Sequence, residues 1–244
     1  SIGDRGVSDW NEAEQLLAQA AGRMVAKEIE PVLAAHPPDR PLPKAAVLDC
    51  YRAIAELGYF GARQADTAGF RLWEVAGTAH ADTYTVETGM QDLGTDPAVV
   101  GLVVTTGPMS GIFTCGSPLN SGPQHFVANA AMAALERWVR HGEAPRSAPR
   151  LEASGPPVVY ALDANGVARG GIRTPQVDVP IASFTGVQSG SLICALFGAT
   201  TPFDAAKLAT LYPTHKACVS PYNKAINRAG RKGWGRRADA RLMR

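Results

Sequence analysis

Apolar positions recur with helical spacing in several stretches of this chain and with strand spacing in fewer. Over residues 8–36, Leu16, Leu17, Ala20, Met24 and Ile29 fall on or near one stripe, which predicts an amphipathic helix. Ser8 is placed to cap it, with Asp9, Glu12 and Glu14 near the positive end of its dipole. Pro31 lacks the amide that a helix needs, so a kink or an early end is expected there. Four prolines make 36–43 a stiff linker, and 45–57 is a second helical stretch. Residues 70–76 alternate like a strand and run into the small-residue turn Gly77-Thr78-Ala79-His80. A strong helix is predicted over 122–141, with Phe126, Ala130, Ala133, Ala134, Leu135, Trp138 and Val139 on one side and Gly142 just past its end.

Beyond Pro145 the texture changes. A strand is predicted over 156–163, then a turn at Asp163-Ala164-Asn165-Gly166. A loop over 170–180 leads to a short apolar strand at 181–184. A helix beginning near Thr201 or Asp204 and ending at Leu211 follows, and another covers 214–228. The mixture is an α/β one.

Composition changes this picture little. In 244 residues, 45% hydrophobic and 19% charged content is that of an ordinary globular chain, and the net charge of +2 argues for no nucleic-acid or membrane partner. Seven basic residues against Asp239 make 228–244 a basic tail, expected to be a solvated end. The four cysteines (Cys50, Cys115, Cys194, Cys218) show no metal spacing and read as buried hydrophobes in a reduced, cytoplasmic setting, one disulfide staying open. No apolar run approaches the roughly 18 residues of a membrane span. No set of side chains implies a metal or a cofactor.

His80 is the residue with the clearest chemical meaning. In doubly wound hydrolases a general-base histidine stands on a loop directly after a core strand, where its imidazole reaches a nucleophile at the sheet edge. Strand, small residues and histidine occur here in that order. Other candidates have plainer readings. Asp82 suits a turn or cap, His125 packing or capping at a helix start, and His215 a contact before the last helix. Arg173 suits either a bound carboxylate or an ion pair with Asp178.

Five blocks, in order, resemble the bacterial "alpha/beta hydrolase domain" family. They are 70–82 (Phe-Arg-Leu-Trp-Glu-Val-Ala-Gly-Thr-Ala-His-Ala-Asp), 118–125 (Pro-Leu-Asn-Ser-Gly-Pro-Gln-His), 170–180 (Gly-Gly-Ile-Arg-Thr-Pro-Gln-Val-Asp-Val-Pro), 196–203 (Leu-Phe-Gly-Ala-Thr-Thr-Pro-Phe) and 211–215 (Leu-Tyr-Pro-Thr-His). The resemblance covers roughly 58–229. It implies part of an α/β-hydrolase fold, the C-terminal portion of a doubly wound sheet with flanking helices, preceded by a helical segment and linker over 1–57 and followed by the basic tail at 231–244. It also implies a Ser-acid-His site in which His80 is the histidine.

Two departures stand against it. No serine here has glycines both two residues before and two after; Ser110 and Ser189 come nearest but have turn spacing. The acid expected before Phe70 has only Asp49 or Glu56 to fill its place. The expectation is therefore a serine-type ester or amide hydrolase acting on a small molecule, incomplete and inactive if the nucleophile is missing. The other reading is a non-catalytic remnant or interaction module that self-associates.

Overall fold

A computed structural model describes residues 31, 34, 35, 63–87, 115–122, 124–155 and 158–244 of the chain. Two compact units divide it, one of Ser1–Asp66 with Ala153–Val159, the other of Thr67–Glu152 with Tyr160–Arg244. In the first, the Ala35 amide donates to Pro31 O at 3.1 Å, so helical bonding continues past the proline rather than ending at it. The remainder of the predicted first helix, the linker and the helix at 45–57 lie outside the described residues, as do Ser110, Asp49 and Glu56.

The described elements are α1 (Thr83–Glu87), α2 (Gln124–His141), β1 (Ala153–Ser154), β2 (Val159–Tyr160), α3 (Pro175–Asp178), β3 (Ala182–Thr185), α4 (Leu192–Phe197), β4 (Ala199–Pro202), α5 (Ala205–Leu211), α6 (His215–Lys232) and α7 (Arg237–Leu242). Helices and two small two-stranded sheets result, rather than one large sheet among the described residues. β3 and β4 pair antiparallel, with Phe184 opposite Thr200 and Thr185 opposite Ala199.

The stretch 70–76 keeps the predicted alternation without becoming a full strand. Leu72, Glu74 and Ala76 are buried while Arg71, Trp73 and Val75 are half-buried. Its ladder is a single parallel bridge, Val75 to Ile172, closed by Ala76 N to Ile172 O at 3.0 Å and Ile172 N to Glu74 O at 2.6 Å. On the other side the neighbouring segment contains Pro145 and Pro149, which have no amide to offer a ladder. Side chains bond instead. Arg71 Nε donates to Pro145 O and Trp73 Nε1 to Arg146 O, both at 2.9 Å, and Leu151 N donates to Glu74 Oε2 at 2.5 Å.

Two apolar clusters hold the larger unit. Ala76, Val167, Val177, Ala182 and Phe184 form one, with Leu151 against it. Val127, Ile172 and Trp234 form the other, with Trp73, Val75 and Ala148 against it. The 70–76 segment thus meets one cluster on each face. α2 buries Phe126, Val127, Ala130 and Ala134, a narrower stripe than predicted, and leaves Met132, Leu135 and Val139 exposed. Gly142 ends it at φ +72, accepting the left-handed turn that other residues resist.

The basic tail is not a solvated end. α6 closes at Gly233 with φ +79, and its amide returns to Ala229 O and Gly230 O. The chain then folds back so that Trp234 and Asp239 are buried at 8% and 6% exposure, and α7 carries the last turns. The aromatic ring and the glycine break outweigh the exposed arginines, whose charged heads stay in water.

Candidate active site

The His80 loop starts where 70–76 leaves its bridge. Gly77 turns the chain at φ +73, and a Cβ there would stand 2.9 Å from Val177 Cγ2, so glycine is needed for both conformation and space. Thr78 Oγ1 donates to Val75 O at 3.0 Å. Ala79 is buried, and the Ala81 amide donates to Leu196 O at 3.3 Å. Asp82, 1% exposed, accepts from Thr85 N at 2.8 Å and Thr85 Oγ1 at 2.7 Å and so caps α1. From Ala76 through Thr83, His80 is the one exposed residue.

Burial pushes the Asp82 carboxyl above its ordinary value, against the lowering effect of its bonds from Thr85. Its role is local, and its bonds run to Thr85 rather than to the imidazole. Asp82→Asn keeps the accepting oxygen without the burial cost of a charge and is expected to leave stability within about 0.5 kcal/mol. Asp82→Ala is expected to lose about 1 kcal/mol by urea denaturation, the usual worth of such a cap.

Three other segments clamp this loop. The 115–122 stretch lies along β4, with Thr200 N donating to Pro118 O at 3.0 Å and Ser121 N to Thr200 Oγ1 at 2.8 Å. Within it Asn120 is fully buried and bonds to Gly77 and Thr83. Gln188 accepts from Ser117 N at 3.1 Å and donates to Gly198 O. Cys115 and Cys194 are joined by a disulfide with Cα atoms 5.5 Å apart, so the single disulfide that the sequence left open is the outcome rather than the favoured reduced state. The Asn120 amide donates to Phe197 O at the end of α4, so the 115–122 stretch and α4 meet and two distant cysteines come within bridging range. Cys218 is free.

His125 packs, as its plainer reading had it. Its ring stacks on Tyr84 of α1 with centroids 3.8 Å apart and an 11° interplanar angle, and tilts against Phe126 at 3.9 Å. His215 is the first residue of α6, whose cap is Thr214, accepting from Ala217 N at 3.1 Å.

Arg173 is an internal brace. Nε donates to Asp178 Oδ1 at 2.9 Å, one terminal nitrogen to Ala168 O at 2.8 Å, and the other to Asp163 Oδ2 at 2.7 Å and Val177 O at 3.2 Å. Four of its five N–H directions are thereby spent, leaving little for a bound carboxylate. Arg228 also reaches Asp178. Burial raises the Asp163 carboxyl, but bonds from Val167 N, Arg173 and Asn165 N outweigh it and hold the group below its ordinary value. A depressed carboxyl contributes stability that is present above the ordinary aspartate pKa and is lost as pH falls through the folded value. Arg173→Ala is expected to cost about 2–3 kcal/mol at neutral pH, and to lose less than the parent protein on acidification below about pH 4. Urea titrations of both proteins at neutral and acid pH check this.

Among the described residues no group of three or more His, Cys, Asp or Glu is placed to hold a metal, and no helix is long and apolar enough to cross a membrane. His80 makes no hydrogen bond among them. The sequence model of the alpha/beta hydrolase domain family matches residues 39–244. The chain belongs to that family. The match takes in all of the described larger unit, including the His80 loop and the packed tail. No curated protein and no solved structure matches the chain.

His80 was the reactive candidate that the residues of this hydrolase-family chain pointed to, whereas Asn120, which bonds both ends of its loop, and Gln188 and Gly198, which brace the segments beside it, were passed over. Asn120 and Gly198 stand inside family blocks, and a buried amide amid small residues was the available signal.

Proposed function

We propose that this chain uses His80 as the general base of a serine-type ester or amide hydrolase acting on a small molecule, with the Val75–Ile172 pairing as part of a doubly wound sheet. One observation carries the reading: His80 alone is exposed in a loop whose every neighbour is buried, bonded or half-buried. Such an imidazole is held ready without being used for packing. It would take the proton from a serine hydroxyl as Oγ attacks the carbonyl carbon, then return it to the departing alcohol or amine. Water would repeat the sequence to release the acid. Gly186, three residues before Ser189, comes close to this loop, since a Cβ on it would stand 3.0 Å from Thr78 O, and Ser189 is therefore the first described serine to examine. The disulfide favours an oxidising compartment over the cytoplasm as the place of action.

A fluorophosphonate tests this, because it bonds covalently only to an activated serine. The purified chain should take up one equivalent on a single serine, located by peptide mass spectrometry, and the His80→Ala variant should not. No adduct in either protein, or equal labelling in both, rejects the reading.

The second reading, an interaction role, is favoured by Met132, Leu135 and Val139, which line one exposed stripe of α2 at 67%, 48% and 79% exposure. It supports self-association. Light scattering should then give a dimer or larger that Leu135→Glu dissociates, and a monomer at all concentrations refutes it.

A further inference from the structure

We infer that Asn120 is a positioning residue that closes the His80 loop; the inference rests on the reading of His80 as the base. His80 stands midway between Gly77 and Thr83, and Asn120 binds both of those ends. Its Nδ2 donates to Gly77 O at 3.3 Å, while its backbone oxygen accepts from Thr83 N at 2.9 Å and Thr83 Oγ1 at 3.2 Å. The loop is thus a ring of chain shut by one residue. That residue is itself fixed from three further directions. Nδ2 donates to Thr185 O at the end of β3 at 2.9 Å, Oδ1 accepts from Gly122 N at 2.6 Å, and the Asn120 amide donates to Phe197 O at the end of α4 at 3.0 Å.

The chemistry requires an amide here. Two carbonyls need two N–H donors from one small side chain while one amide needs an acceptor, and asparagine supplies all three. Aspartate has the shape but no donors, and its charge would face Gly77 O and Thr185 O in a site with 0% exposure. Glycine at 122 belongs to the same device, since a Cβ there would lie 2.2 Å from Gly77 O and push the loop off the amide. Asn120 itself is sealed from solvent, so it acts on chemistry only through the imidazole its loop carries. A displacement of that ring by about 1 Å is enough to lose roughly 100-fold in rate.

The test uses Asn120→Asp and Asn120→Ala in the full chain, at a temperature where circular dichroism shows both folded, with two readouts. The first is the His80 Cε1–H signal in 1H–13C NMR, assigned by its loss in His80→Ala. The second is kcat and KM for 4-nitrophenyl butyrate, in the parent and in the His80→Ala background. Positioning predicts that both variants shift or broaden the His80 signal and lower kcat about 100-fold at unchanged KM. It also predicts that neither lowers the rate further once His80 is gone. An unchanged His80 signal, a change confined to KM, or an equal loss in both backgrounds overturns it. If His80→Ala keeps full activity the base assignment fails instead, and the NMR signal alone then decides whether Asn120 orders the loop.

Discussion

Reduction of the Cys115–Cys194 bond is expected to lower the thermal midpoint by roughly 8–16 °C. The two cysteines are 79 residues apart, and closing a loop of that length restrains the unfolded chain by roughly 4 kcal/mol. In a chain of this size each kcal/mol moves the midpoint by about 2–4 °C. The effect should also have a location. Cys194 is 1% exposed in α4, and Cys115 opens the stretch that carries Asn120, so the bond ties together two of the segments that clamp the His80 loop. Scanning calorimetry with and without dithiothreitol, beside the Cys115→Ser, Cys194→Ser double variant, measures the shift. Cys218→Ser should leave the midpoint unchanged, because Cys218 is free. A reduced protein that melts with the oxidised one would deny the bond its stabilising role.

Gly198→Ala is expected to cost at least about 3 kcal/mol. Gly198 has φ +54 and ψ −163, a region that side chains rarely enter, and it joins α4 directly to β4. The added methyl would lie 2.1 Å from Thr185 O and 3.0 Å from Ala79 Cβ. Neither is the yielding tip of a long side chain. One is the end of β3 and the other stands next to His80, so relief means moving the sheet or the loop. Gly142→Ala is the control: φ is +72 there, but a Cβ would meet nothing within 4 Å. Its cost should stay near the 1–2 kcal/mol of the left-handed backbone alone. Urea denaturation of both variants compares them, and a Gly198 variant no weaker than the Gly142 variant would contradict the close approach.

Periodicity made the long helices legible because burial there is one-sided and local. α2 begins two residues inside its predicted range, and α6 begins one residue into its own and runs four residues past its end, since Gly233 rather than Arg228 stops it. The turn at Asp163 was also legible, its carboxylate accepting from Asn165 N and Val167 N in the way that aspartate in turns does. Segment 70–76 was harder. Alternation shows which faces are buried but not whether a neighbour offers amides, and Pro145 and Pro149 withhold them. The tail misled because charge density was weighed over Trp234 and Gly233, the two residues that fold it back. The disulfide and the Asn120 bonds depend on contacts between residues tens of positions apart, and no local pattern encodes such pairings. His80 was visible for the opposite reason, as the only large polar group in a run of small ones.

The central claim is that His80 does chemistry. Hydrolysis of 4-nitrophenyl butyrate by the purified chain and by His80→Ala tests it most directly, because an exposed residue is removed with little effect on folding. Turnover above the uncatalysed rate is expected in the parent protein, and a loss of about a thousandfold or more in the variant, with circular dichroism and melting unchanged. A variant as active as the parent, or no turnover by either protein, would contradict it.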